Sequence, residues 1–284
     1  MKERCYAKIN LCLDVVRRRE DGYHDLKMVM VPIDFYDVLE MVPAKETTIS
    51  LNRYYLPVND KNTVIKAIHV MQEHFGITQQ YACVLQKHIP TQAGLAGGSA
   101  DAAAAIRMIA RMEHLSTTRE ELIECSREVG ADVPFCLISK PALVEGIGEK
   151  IEPFPCHPDF GVLLVKPKRG VSTKTAFEKL DFNTIVHPDV EAMKKALEEN
   201  DYDGVIASLG NSLEEVSLNL VKEIREVKEA MVDLGFDGVL MSGSGSTVFG
   251  ITKSPRLLRD ASETLRADNW FVRTTRILSS GAGV

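Results

Sequence analysis

The sequence predicts an α+β protein of two domains. Three observations carry that expectation. Strand-like and helix-like stretches are mixed in both halves of the chain. The 284 residues exceed the usual length of one domain, roughly 100–200 residues. Between the halves, Pro153-Phe154-Pro155-Cys156-His157-Pro158 interrupts all periodicity, so the domains are expected at residues 1–153 and 154–284.

Composition narrows the class. Hydrophobic residues at 45% and charged residues at 26% are ordinary globular usage, which excludes disordered, collagenous and disulfide-scaffold proteins. The net charge of −6 lacks the footprint of a general nucleic-acid binder, and no basic stretch suits a membrane surface. The expected ligand is therefore small, although a local basic pocket for phosphate is compatible with this balance. Cys5, Cys12, Cys83, Cys125, Cys136 and Cys156 show neither a zinc spacing nor a C-x-x-C pair. Buried free thiols in a reducing compartment are the expectation. With no apolar segment after Met1-Lys2-Glu3-Arg4 and no run approaching the ~18 apolar residues of a membrane span, a soluble cytoplasmic protein is expected. Oligomeric state is left open.

Residues 7–15 alternate as a strand, with Ile9, Leu11, Leu13 and Val15 on one face and Lys8, Asn10, Cys12 and Asp14 on the other. Residues 26–34 and 36–42 are further strands, set off by the turn-like Asp21-Gly22. Asn62 to His74 carries a helical pattern that stops before Gly76, and 81–89 reads as a strand. An Ala-rich helix is expected from about Ser99 to Met112. A second, from Thr118 to Val129, opens with the capping box Thr118-x-x-Glu121. In the second half, 160–166, 237–242, 246–252 and 270–276 read as strands. Helices are expected at 173–180, 188–199, 203–216, 218–234 and 255–267.

The strongest local signal is Ile89-Pro90-Thr91-Gln92-Ala93-Gly94-Leu95-Ala96-Gly97-Gly98-Ser99-Ala100-Asp101. Glycines between a strand and a helix let the backbone approach a ligand closely, and the helix N-terminus behind them suits phosphate. Ser99 can cap the helix, or reach a phosphate or its Mg²⁺; a tight capped turn with no ligand has the same local pattern. No Lys follows Gly98, so this is not a P-loop, and glycines at 94, 97 and 98 do not match the dinucleotide fingerprint.

The run from Pro90 through Gly94-Leu95-Ala96-Gly97-Gly98-Ser99 resembles the ATP-phosphate loop of the GHMP kinases, the family of galactokinase, homoserine kinase and mevalonate kinase. Four more blocks follow the family's order: Ala7-Lys8-Ile9-Asn10-Leu11, Asp21-Gly22-Tyr23-His24, Gly130-Ala131-Asp132-Val133-Pro134-Phe135 and Leu240-Met241-Ser242-Gly243-Ser244-Gly245. Together they resemble the branch that phosphorylates a cytidine-diphosphate-linked methylerythritol in non-mevalonate isoprenoid synthesis. The Asp-Gly-Tyr-His block separates that branch from mevalonate and homoserine kinases.

Several expectations follow from the resemblance. The N-terminal domain would have a ribosomal-protein-S5-like fold and the C-terminal domain a ferredoxin-like one. ATP, with Mg²⁺, would lie on Pro90, Thr91, Gln92, Ala93, Gly94, Leu95, Ala96, Gly97, Gly98, Ser99 and Ala100, with Asn62 lining the adenine region. Asp132 would be the general base, and Lys8 would hold its charge and stabilise charge that develops. Asn10, Tyr23, His24 and Phe177 would bind substrate, with Tyr23 and Phe177 against the cytosine ring and His24 on its polar edge. No Asp/Glu cluster reads as a dedicated metal cage.

Each of these residues also has a plainer local role. Lys8 fits a solvated sheet position, Asp132 an Asx-turn or cap, Tyr23-His24 an exposed turn, Phe177 core packing and Asn62 a helix N-cap. Ser242 to Thr247 fits a simple hairpin turn, which by resemblance faces the substrate. Tyr6, Ala100, Ser246 and Lys140-Pro141 depart from the family pattern without removing base, lysine or glycines. Two rival readings fit the same residues: the same chemistry on another small alcohol, or a non-catalytic nucleotide or metabolite sensor.

Overall fold

The computed structural model describes residues 1–281 and 283. The first half forms β1 (Lys2–Arg18), β2 (His24–Ala44), β3 (Thr48–Leu51), α1 (Thr63–Phe75), β4 (Gln80–Gln86), α2 (Gly97–Met112), α3 (Arg119–Val129), α4 (Val133–Ile138), β5 (Ala142–Gly146) and β6 (Lys150–Pro153). The second half forms β7 (Gly161–Lys166), α5 (Thr173–Glu178), α6 (Val190–Glu198), α7 (Tyr202–Ala207), β8 (Gly210–Asn211), α8 (Glu214–Leu220), α9 (Glu223–Asp233), β9 (Gly238–Met241), β10 (Val248–Thr252), α10 (Pro255–Arg266) and β11 (Phe271–Arg276).

The first sheet runs β3-β4-β2-β1-β8, with β5 on β2 and β6 on β5. The second is antiparallel, ordered β11-β7-β10-β9, the strand order of a ferredoxin-like domain. One face of the first sheet carries α1 to α4; alanines at 100 and 102–105 let α2 lie close against β1 and β2. The opposite face, with Ala7, Ile9, Val29 and Val31, shares a core with Val162 and Leu164 of β7, Phe249 of β10, and Met193 of α6. The two sheets are thus held by common apolar burial, the dominant favourable term in folding. Helix ends follow local chemistry: the Asn62 side chain accepts from Val64 N and Gly76 closes α1 at φ 65°, while Thr118 and Glu121 form the expected capping box on α3.

Several elements differ from the sequence expectation. The two strands at 26–34 and 36–42 are one strand, β2, of 21 residues; a register shift, with Tyr6 opposite Tyr36 but Lys8 opposite Pro32, absorbs the break. The regular alternation over 7–15 is interrupted at Leu11, where another shift between Asn10 and Cys12 changes the phase. Ile9 and Leu11 therefore enter the core between the sheets, whereas Leu13 and Val15 join the helix-side core. The strand at 81–89 ends at Gln86, releasing 87–96 as a loop.

The helix at 203–216 is split into α7, β8 and α8, because Gly210 and Asn211 pair with Cys12 and Leu13 of β1. The helix at 218–234 breaks at Val221, which is extended and buried. The short α4, buried at all six positions, has no polar face to reveal its period. All six cysteines are buried and free. Among the described residues no helix is long and apolar enough to cross a membrane.

Candidate active site

The loop between β4 and α2 forms one wall of a cavity of about 450 Å³. Its backbone is drawn tightly into the protein. Gly94 has φ 71°, and a Cβ there would stand 2.0 Å from the carbonyl oxygen of Ser242, so only glycine fits on both grounds. At Gly97 the added atom would meet Ile89 Cγ2 at 2.9 Å. The α2 N-terminus opens onto the cavity, and the first N–H groups of a helix lack intrahelical partners. The hairpin after β9 seals the back of this loop: Ser242 Oγ donates to Gly94 O at 3.0 Å and Thr247 N donates to Ala93 O at 3.2 Å. Of that hairpin, Gly243 and Ser244 line the cavity.

Lys8, Asn10 and Asp132 meet at the cavity floor. The register shift at Tyr6–Lys8 turns Lys8 to the helix side of the sheet, where it is only 4% exposed. Its ammonium donates to Asn10 Oδ1 at 2.7 Å and lies 3.7 Å from Asp132 Oδ2. Asn10 is held in turn by Met28 Sδ and Ser242 Oγ. Asp132 occupies the N-cap position of α4, yet its side chain makes no capping bond. The carboxylate, with a side chain 37% exposed, is left facing Lys8.

A second cavity of about 500 Å³ adjoins the first; both are lined by Leu26, Ala131, Ile147 and Phe177. Tyr23, His24, Phe177 and Phe182 give it aromatic walls, and Arg18 and Lys174 stand at its edge. His24 stacks on Phe177 at 4.9 Å between centroids and on Phe182 at 5.9 Å. Phe177 is thus paired with His24 here, while Tyr23 is 62% exposed. Burial of the ring, and then the nearby Arg18 charge, lower the His24 pKa below its ordinary value, which leaves a neutral imidazole at neutral pH.

Three expected positions lie differently. Asn62 is outside the lining of either cavity; its amide donates to Pro57 O at 2.8 Å and its oxygen caps α1. The neighbouring Thr63 reaches the first cavity instead, donating to Gly98 O at 2.8 Å. Ala100 is buried in the helix-side core. Ser99 lines the cavity but is not a cap, because α2 starts at Gly97 behind Ala96 at φ 55°.

Sequence reasoning missed Lys87 and Phe182. Phe182 follows Asp181 in a stretch without periodicity, which offered no signal. Lys87 falls inside the stretch read as a strand at 81–89, where nothing in its neighbours marks it out; it is 4% exposed and lines the first cavity. Burial opposes its charge, but the carboxylates of Asp101 and Asp37 outweigh that and raise its pKa.

The two sheets, with a glycine-rich loop and a Lys–Asp pair between them, define a GHMP kinase. The sequence profile of the GHMP kinases N terminal domain matches residues 62–140, and that of the GHMP kinases C terminal domain matches 188–269. The chain is 42% identical over 275 residues to the 4-diphosphocytidyl-2-C-methyl-D-erythritol kinase of a Geobacillus species, covering 96% of this chain and 95% of that one. With its namesake from Geobacillus kaustophilus it shares 45% over 249 residues, 86% of each chain. A crystal structure of 4-(cytidine 5'-diphospho)-2C-methyl-D-erythritol kinase superposes with a TM-score of 0.81 at 32% identity over the whole of both chains. Homoserine kinase from Cytophaga hutchinsonii shares the fold alone, at a TM-score of 0.75 and 19% identity over 99% of this chain and 96% of that one. The chain belongs to the 4-diphosphocytidyl-2-C-methyl-D-erythritol kinase family.

Proposed function

We propose that the protein transfers the γ-phosphoryl group of ATP to the 2-hydroxyl of 4-diphosphocytidyl-2-C-methyl-D-erythritol, giving the 2-phosphate and ADP. The observation that carries this reading is the Lys8–Asp132 pair beside two adjoining cavities, one walled by the glycine loop and the other by aromatic rings. A long substrate with a base at one end and a reacting alcohol at the other needs both.

ATP phosphates lie against loop 90–99 and the α2 N-terminus, whose N–H groups meet their charge. Asp132 accepts the proton of the substrate hydroxyl as its oxygen bonds to the γ-phosphorus and the bond to the ADP oxygen breaks. The Lys8 ammonium, fixed by Asn10, balances negative charge through that change. A positioned base supplies typically ~10²–10⁴-fold; the remaining acceleration comes from alignment and charge neutralisation, the main resources of phosphoryl transfer. Among the described residues no group of three or more His, Cys, Asp or Glu forms a metal cluster. The Ser99 hydroxyl is a hard-oxygen donor compatible with Mg²⁺ carried in by the phosphates, whose charge the ion neutralises when bound.

Cytosine packs against Phe177 and Tyr23, with His24 at its polar edge. Stacking gives affinity, and hydrogen bonds give base discrimination. A cytoplasmic location belongs to the same proposal. ADP release with ATP and Mg²⁺ tests the reading, offering the cytidine substrate beside mevalonate and homoserine. Turnover confined to the cytidine substrate is expected; turnover on another of these alcohols, or none with ATP bound, overturns the substrate assignment.

A further inference from the structure

The mechanism above leaves one group of buried charges without a task. Lys87, Asp37 and Asp101 are 4%, 0% and 2% exposed, and they come from three different places: the end of β4, the middle of β2 and the start of α2. Lys87 Nζ donates to Asp101 Oδ2 at 2.6 Å and to Asp37 Oδ2. The other Asp37 oxygen accepts from His88 N at 2.5 Å and Ile89 N at 2.8 Å. The Lys87 backbone is fixed as well, since Asn52 accepts from its N–H at 2.8 Å and donates to its carbonyl at 3.2 Å.

Removing three charges from water is costly, and a hydrophobic cluster of similar volume is often as stable or more so. Stability is thus a weak account of this arrangement. Its location suggests a better one. Lys87 stands where the chain leaves β4 and enters the glycine loop; Asp101 stands one turn inside the helix where the loop ends. Their ion pair closes the loop at its base, and Asp37 ties that closure to the sheet. The ammonium also lies 3.3 Å from the place of a Cβ on Gly97 and lines the phosphate cavity.

We infer that Lys87, clamped by Asp37 and Asp101, is the positioning residue that sets the shape of the phosphate loop for ATP. This rests on the reading that the loop holds ATP. Ala93 and Gly94 are held by the hairpin after β9, Leu95 by Lys8 N and Gly98 by Thr63; what joins the two ends of the loop at its base is the Lys87–Asp101 pair, since Ala96 provides no side-chain cap there. Opening the clamp would leave the loop's N–H groups unconverged, weakening the nucleotide while sparing the aromatic cavity.

Asp101→Ala is the informative variant, because it leaves Lys87 paired with Asp37 rather than an orphan charge. Its KM for ATP should rise about tenfold or more, equivalent to about 1.4 kcal/mol of nucleotide affinity, with KM for the cytidine substrate unchanged within about twofold. Asp101→Asn, which keeps a hydrogen-bond acceptor, should recover most of the loss. An unchanged KM for ATP, or an equal rise in both KM values, overturns the inference. Should Asp101→Ala fail to fold, Asp101→Ser, whose shorter side chain does not span to the ammonium and which leaves Lys87 paired with Asp37, is read in the same way. Calorimetric titration of the unaltered protein with ATP separates the two levels: no binding there removes the ATP reading itself, whereas normal binding with an indifferent Asp101→Ala removes only the clamp.

Discussion

The two adjoining cavities are built in opposite ways. The phosphate cavity is made of backbone and buried groups: Gly94 pressed against Ser242, Lys8 within the sheet, and an ion cluster beneath Gly97. The aromatic cavity is made of side chains carried by a hairpin end, the short α5 and the segment after it, with Tyr23 62% and Phe182 38% exposed. Groups in the first are fixed by the same contacts that hold the two sheets together. Groups in the second are half-buried or exposed side chains, with Phe177 resting on the helix-side core, and the His24–Phe177 stack must open if cytosine takes a face of Phe177. Changes in the first region should therefore move rate and stability, and changes in the second mainly affinity.

The largest test of that contrast is Asp132→Asn. The side chain caps nothing, so the fold should survive while kcat falls by ~10²–10⁴-fold, the usual contribution of a positioned base. A loss below tenfold in ADP release would remove Asp132 from that role. Next comes Gly94→Ala, where a Cβ 2.0 Å from a backbone oxygen at φ 71° forces either the loop or the hairpin to move. Denaturant unfolding should show a loss of roughly 2–4 kcal/mol, from backbone strain added to overpacking. Retained stability would mean that the joint between the halves is softer than its geometry indicates.

Phe177→Ala works on the other cavity. Losing one stacking face costs ~1–3 kcal/mol, seen as a higher KM for the cytidine substrate with a smaller change in KM for ATP; the unfolding midpoint should fall modestly, because Phe177 also rests on the helix-side core. Equal effects on both substrates would erase the distinction between the regions. The smallest effect belongs to His24. Its pKa is depressed in the fold below the ordinary 6.5, so on acidification the unfolded chain takes up its proton first. The contribution of the neutral ring is complete above the unfolded value and is lost as pH falls towards the folded one. Thermal midpoints should decline slightly through that window, and the decline should be shallower in His24→Gln; an identical slope would place the titration elsewhere.

Legibility followed the same division. Local signals read well: the caps at Asn62 and Thr118 and the helices α1 and α3 stand where residue patterns indicated, and α2 begins two residues before the expected Ser99, behind the glycine loop. The aromatic cavity was partly legible, because Tyr23 and His24 sit in a short block of their own, but Phe182 had no pattern around it. The alternation of residues 7–15 misled at Leu11, since a register shift between paired strands depends on the partner strand and not on local periodicity. For the same reason Gly210 and Asn211 looked helical: their pairing with Cys12 and Leu13 is a contact across nearly 200 residues of chain.

By itself the sequence determined most of the helices and strands, the glycine-rich character of the loop after β4, and which residue types are available for phosphoryl transfer, because these depend on neighbours within a few positions. Tertiary structure decided which of them meet. It brought Lys8 to within 3.7 Å of Asp132, freed that carboxylate from capping, and placed Lys87 at the centre of a buried cluster. Burial and charge pairing are properties of position in space, and residues far apart in the chain acquire them only when the sheets close on one another.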